Sequence, residues 1–236
     1  MALRKTEAVI LRRQEIRETS LMLIAFSRDL GKFQGLVKGV RGARAAVPWY
    51  LEPLTLQSVV LYERRRSPWA LVSSCDLIDP FDALRRDFRR TAYGALMLDL
   101  VDAMTEVGES HPDLFAPLVS LLRALGEVQE PRVLIVALEA RLLQGAGLLP
   151  PIANLTLSAE AKRSLQEILQ ILPAPPSAAW QRFFGKTDEL GRLLDALVRR
   201  ALGRELKSRM FLYSLGLERP GLPPQREPLE VRGEAA

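Results

Sequence analysis

The 236 residues are 48% apolar and 26% charged, with a formal net charge of +5 and an isoelectric point of about 9.6. That length suits one large domain or two ordinary ones, and the apolar share can supply a sizeable core. Cys75 is the one cysteine and His111 the one histidine, which excludes an internal disulfide and a zinc site built from Cys and His.

Met1 to Arg13 sets Arg4, Lys5, Arg12 and Arg13 around a short apolar run, too little for a secretory signal, so a cytoplasmic address is expected. Five strands are then predicted within 80 residues: Glu7 to Arg13, Ser20 to Ser27, Lys32 to Val40, Leu54 to Glu63 and Trp69 to Ile78. Asp29-Leu30-Gly31 supplies a turn in which Gly31 takes positive φ at little cost. The glycines of the third strand mark a bulge or barrel corner, and a longer connection from Arg41 to Pro48 follows. Five short strands with one long connection fit a closed OB-type barrel, because a parallel sheet would need helical crossovers. An SH3-like barrel reads nearly the same. Cys75, within Leu71 to Ile78, reads as a small buried hydrophobe.

After Pro80 the apolar period becomes helical. Asp87 to Glu106 carries Phe88, Ala92, Leu96 and Leu100 on one side, with Asp99 and Asp102 on the other. His111 lies in a polar turn, Asp113 reads as the N-cap of Leu114 to Val128, and Pro131 opens Arg132 to Gln144. No membrane span is expected, since the run Val133 to Leu138 meets Glu139 and Arg141 at once. Ser158 opens a helix through Leu172, and a last helical block runs from Asp188 to Leu215 with a break at Gly203. The predicted fold class is α+β: residues 1–80 an OB-type barrel, 81–216 an all-α body, and 217–236 a Pro/Gly-rich disordered tail.

Charge is unevenly placed. Residues 1–80 hold 13 Lys and Arg against 8 Asp and Glu, while the other 156 hold 20 of each. A skew of that sign suggests a polyanionic partner, and a solvated basic surface is the alternative. Lys32, Lys38, Arg41 and Arg44 alternate with glycines that allow close approach to phosphate, and Phe33 offers either a stacking face or a core residue. Arg64, Arg65 and Arg66 form a second basic loop. Arg204, Lys207 and Arg209 surround the late helix break, where exposed amides could meet an anion. No carboxylate pair stands at metal or acid/base spacing, so no enzyme, cofactor or metal is expected.

The order Glu7-Ala8-Val9-Ile10-Leu11-Arg12, Glu18-Thr19-Ser20, Phe26-Ser27-Arg28 with Gly31-Lys32, Lys38-Gly39 with Arg41, Leu51-Glu52-Pro53 and Leu206-Lys207-Ser208-Arg209 resembles the RecO family over residues 6–216. The resemblance implies an N-terminal OB-fold and a helical domain that bind single- and double-stranded DNA in the bacterial cytoplasm, in association with the nucleoid. It further implies annealing of complementary strands and, with RecR, help for RecA in replacing single-strand-binding protein during recombinational DNA repair. The acidic C-terminal tail of single-strand-binding protein would dock on an apolar site with a basic rim.

On that resemblance Lys38 and Arg41 are the leading phosphate contacts, supported by Lys32, Arg44 and Arg64 to Arg66. Arg204, Lys207 and Arg209 come second, with salt bridges that pin the last helix as the alternative for Lys207 and Arg209. The sequence departs from the pattern twice. Many relatives carry a four-cysteine zinc module where Gly147 to Leu155 runs straight on to Thr156 without a cysteine, and the loop after Gly39 is alanine-rich at Ala43, Ala45 and Ala46. Those departures motivate a second reading, a protein-interaction adaptor with the same fold and weakened DNA contact.

Overall fold

A strand that buries one face alternates apolar with polar residues, so unbroken runs such as Val9-Ile10-Leu11 and Leu21 to Phe26 require cover on both sides. The computed structural model, which describes residues 2–16, 19–39, 51–63, 67–172 and 177–218, supplies that cover. Strands β1 (Ala2–Ile16), β2 (Ser20–Ser27), β3 (Gly31–Val37), β4 (Leu56–Glu63) and β5 (Ala70–Asp79) close into a barrel in the order β1-β2-β3-β5-β4. β3 and β5 run parallel and the other pairings are antiparallel. This is the OB-type arrangement. β1 is long enough to pair with β4 through residues 2–9 and with β2 through 8–16, and a register shift between Ile10 and Arg12 bends it across the closure.

Alternate residues of β1 and β2 serve two cores. Ala8, Ile10, Leu21, Leu23 and Ala25 fill the barrel with Phe33, Val59 and Leu61. Val9, Leu11, Ile24 and Phe26 face outward and join the core of the helical body. Among the described residues, seven α-helices make that body: α1 (Asp82–Arg85), α2 (Phe88–Met104), α3 (Pro112–Leu125), α4 (Arg132–Gly145), α5 (Ala159–Ile171), α6 (Asp188–Leu202) and α7 (Lys207–Ser214). Every residue of α4 from Val133 to Ala140 is buried, as befits a helix apolar nearly all round and packed among α2, α3, α5 and α6. The Asp87 carboxylate caps α2 by accepting from the Arg89 amide at 2.8 Å, and the Ser158 hydroxyl caps α5.

The β2–β3 turn seats the barrel on this body. Gly31 has φ +63°, and a Cβ there would lie 1.7 Å from the Glu109 carbonyl oxygen. The Gly108 amide donates to the Lys32 carbonyl at 2.9 Å. Glycine is therefore required by both conformation and close approach.

Several expectations are corrected. Asp113 is not the N-cap of α3; that position falls to half-buried His111, and Asp113 lies in the first turn. α1 and a short 3-10 stretch, Ser177–Phe183, were not foreseen, and Trp180 of the latter is wholly buried. The segment after Ser214 begins ordered, because Glu218 is buried and the Tyr93 hydroxyl donates to the Leu217 carbonyl at 3.0 Å. Residues 219–236 lie outside the described residues.

Candidate nucleic-acid interface

The ends of three barrel strands and the segments beside them meet at one mouth. Ile16 and Ser20 flank the β1–β2 connection, Leu36 and Lys38 lie at the end of β3, and Ser67, Trp69, Ala70 and Leu71 open β5. Together they line a groove of about 300 Å³. Lys38 is exposed, with no ion-pair partner among the described residues. Trp69 is 39% exposed, and the Ser67 hydroxyl holds its backbone by donating to the Trp69 carbonyl at 3.0 Å and accepting from its amide at 3.1 Å.

Most other described cations of the barrel have carboxylate partners. Arg4 pairs with Glu63 at 3.7 Å, Arg13 with Glu52 at 2.7 Å and Arg28 with Glu7 at 2.5 Å. Arg12 reaches Asp102 of α2 at 2.7 Å. Lys5 and Lys38 remain exposed without an ion pair among the described residues. Arg41, Arg44, Arg64, Arg65 and Arg66 lie outside the described residues.

Two proposed phosphate contacts are corrected. Lys32 is 7% exposed, and its ammonium donates to the Asp102 carbonyl at 2.6 Å while lying 3.4 Å from the Asp102 carboxylate. Its ammonium ties barrel to body and is spent on Asp102. Arg209 is 4% exposed inside a carboxylate cluster, in contact with Glu139, 3.1 Å from Asp195, 3.4 Å from Glu218 and 3.9 Å from Glu205. Of the two alternatives for Arg209, the structure supports pinning of the last helix. Phe33, offered as stacking face or core residue, is core.

Arg204 and Lys207 are exposed. The amide of Ser208, at the start of α7, is directed at Asp99 rather than at solvent, and the Ser208 hydroxyl donates to the same carboxylate at 2.7 Å. Asp99 and Asp102, read as the outer face of α2, thus hold α7 and the barrel. Sequence reasoning had no signal for this, because a carboxylate on a solvated face and one that latches a neighbouring element occupy the same helical phase.

The carboxylate cluster has an electrostatic consequence. Arg199 shares the load, 2.5 Å from Asp195 and 3.2 Å from Glu205, so two guanidiniums face Glu139, Asp195, Glu205 and Glu218. Burial pushes the Glu139 carboxyl up to about 7; Arg209 opposes the rise, while Asp195 and Glu218 add to it. Glu218 is raised by burial as well. The half-buried Cys75 thiol is pushed up to about 12 by burial, with Asp76 adding to the shift, which keeps it protonated and unreactive.

Where relatives are expected to carry the zinc module, a 3-10 turn at Ile152–Asn154 leads into α5. Ile152, Leu155 and Leu157 pack on the main core, and Lys162 donates to the Ala153 carbonyl at 2.9 Å. Packing closes that join.

Family profiles match in two adjoining pieces: Recombination protein O N terminal over residues 1–81 and Recombination protein O C terminal over residues 85–158. The chain belongs to the RecO family. A protein of Alkaliphilus metalliredigens named DNA repair protein RecO is 30% identical over 151 residues, 64% of this chain and 61% of its own. The like-named protein of Syntrophobacter fumaroxidans is 30% identical over 160 residues, 68% of this chain and 63% of its own. The match thus spans about three-fifths of those two RecO proteins. That of Moorella thermoacetica is 25% identical over an alignment of 262 positions covering 95% of this chain and 96% of its own. The boundary between the two RecO profiles falls where β5 gives way to the helical body. Among the described residues, no helix is long and apolar enough to cross a membrane.

Proposed function

We propose that the chain is a non-enzymatic DNA-binding protein of recombinational DNA repair. It binds single- and double-stranded DNA, anneals complementary strands and, with RecR, assists RecA loading on DNA coated by single-strand-binding protein. The observation that supports this most is the convergence of three strand-end regions on one groove beside Lys38. Each borders a connection whose sequence carries arginine: Arg17 follows Ile16, Arg41 and Arg44 follow Gly39, and Arg64 to Arg66 precede Ser67. Annealing requires that phosphates be neutralised while base edges stay free to pair, and cationic side chains meet that need without a catalytic group.

An exposed apolar patch with a basic rim supports docking of the acidic tail of single-strand-binding protein on the helical body. Phe88 and Phe211 stand edge to face at 6.0 Å beside exposed Met210, and Lys207 and Arg89 are exposed on the same helices. The adaptor reading draws on the ion pairs that engage Arg4, Arg12, Arg13, Arg28 and Lys32. Titration of a labelled oligonucleotide at low salt, with an annealing assay beside it, separates the two. Salt-sensitive binding and faster annealing support the repair role. Retention of RecR with no DNA affinity supports the adaptor.

A further inference from the structure

Trp69 is an exposed tryptophan in a position that packing does not explain. Trp180 is completely buried, whereas Trp69 stands open at the barrel mouth with no ring contact among the described residues. A lone exposed apolar side chain is ordinary, but Trp69 adjoins Ile16, Leu36 and Leu71 in one groove, and contiguous apolar surface of that kind marks binding sites. Its backbone is fixed on both polar groups by Ser67, so the indole is carried on a rigid turn. Beside it the groove has an apolar floor from Ile16, Leu36 and Leu71, a hydroxyl from Ser20 and an ammonium from Lys38. An aromatic face, an apolar floor and a cation at the rim match a planar base attached to a phosphate.

We propose that Trp69 is the stacking platform for one base of single-stranded DNA, with Lys38 beside the adjoining phosphate. The assignment rests on the DNA-binding reading and deepens it by naming the aromatic residue that Phe33, packed inside the barrel, does not supply. It also commits the groove to unpaired strands, because in a duplex each base already stacks on its neighbours and offers no free face. A partner protein is the weaker fit, since the groove holds only about 300 Å³ and carries the Lys38 ammonium.

The test uses the full chain and a labelled oligothymidine, followed by anisotropy at low salt. Trp69→Ala is expected to weaken single-strand binding by about tenfold to a hundredfold, while duplex affinity and the slope against salt stay as they were, because stacking releases no counterions. Trp69→Phe keeps an aromatic face and is expected to retain most of the affinity. Its second use is optical: in a Trp49→Phe background, quenching of tryptophan emission on oligonucleotide binding is expected and is absent once Trp69→Phe is added, which also guards against misfolding of the alanine variant. Unchanged single-strand affinity in Trp69→Ala, or quenching that persists when Trp69→Phe is added to the Trp49→Phe background, overturns the stacking role while leaving DNA binding intact. Failure of the native chain to bind any oligonucleotide removes both.

Discussion

Replacement of Arg209 by methionine separates a structural guanidinium from a phosphate contact. The native side chain is buried against Glu139, Asp195 and Glu218, and only Asp195 and Glu205 keep a second cation in Arg199. Arg209→Met therefore leaves Glu139 as a buried carboxylate without its guanidinium and leaves Glu218 with only the field of Arg132. Breaking a buried pair from one side costs about 3–5 kcal/mol, against a total of about 5–15 kcal/mol for an ordinary domain. The methionine stem restores some packing, and proton uptake by Glu139 relieves part of the unbalanced charge, so the lower end of that range is expected at pH 6 and the upper end at pH 8. Urea unfolding followed by helical circular dichroism at both pH values measures it. The midpoint is expected to fall with the slope unchanged, and to fall further at pH 8. A variant as stable as the native chain but deficient in DNA binding would refute the structural assignment and return Arg209 to the interface.

Glu139→Gln removes the buried titration. The folded pKa of Glu139, about 7, lies above its ordinary value of 4.5, so the folded state holds this proton more tightly than the unfolded chain. Its contribution is fully present below about pH 4.5 and lost as pH rises through about 7. Melting across that window is expected to show a smaller decline with pH in the glutamine variant; an unchanged profile would assign the titration elsewhere. Gly31→Ala sets a Cβ against the Glu109 carbonyl and forces alanine to positive φ, so a loss of several kcal/mol or a displaced barrel is expected from denaturation. A melting temperature equal to the native one would contradict that seat.

Much of the fold was legible because its signals are local. Five apolar runs with turn residues between them gave the strands, and Asp87, Ser158 and Gly203 marked helix ends that the structure keeps. What escaped was set by tertiary contact. Nothing near Lys32 or Arg209 in sequence distinguishes an exposed cation from a buried one, since Asp102 lies 70 positions from Lys32 and Glu139 lies 70 positions from Arg209. The choice left open for Phe33, stacking face or core, was undecided for the same reason. Strand parity alone does not say which face of β3 turns inward, and Trp69 stands just before β5, where a side chain is free of that parity. The exposure of Lys38 follows from its place one residue beyond the end of β3, where no apolar period reaches it.

The central claim is that the barrel mouth around Lys38 holds the phosphate chain of DNA. Oligonucleotide affinity measured at several salt concentrations for the native chain and for Lys38→Glu tests it most directly. The account predicts a steep decline of affinity with salt in the native chain, and a weaker-binding variant whose slope is shallower by about 0.7 for each phosphate it no longer neutralises. An identical slope and affinity in Lys38→Glu would contradict it.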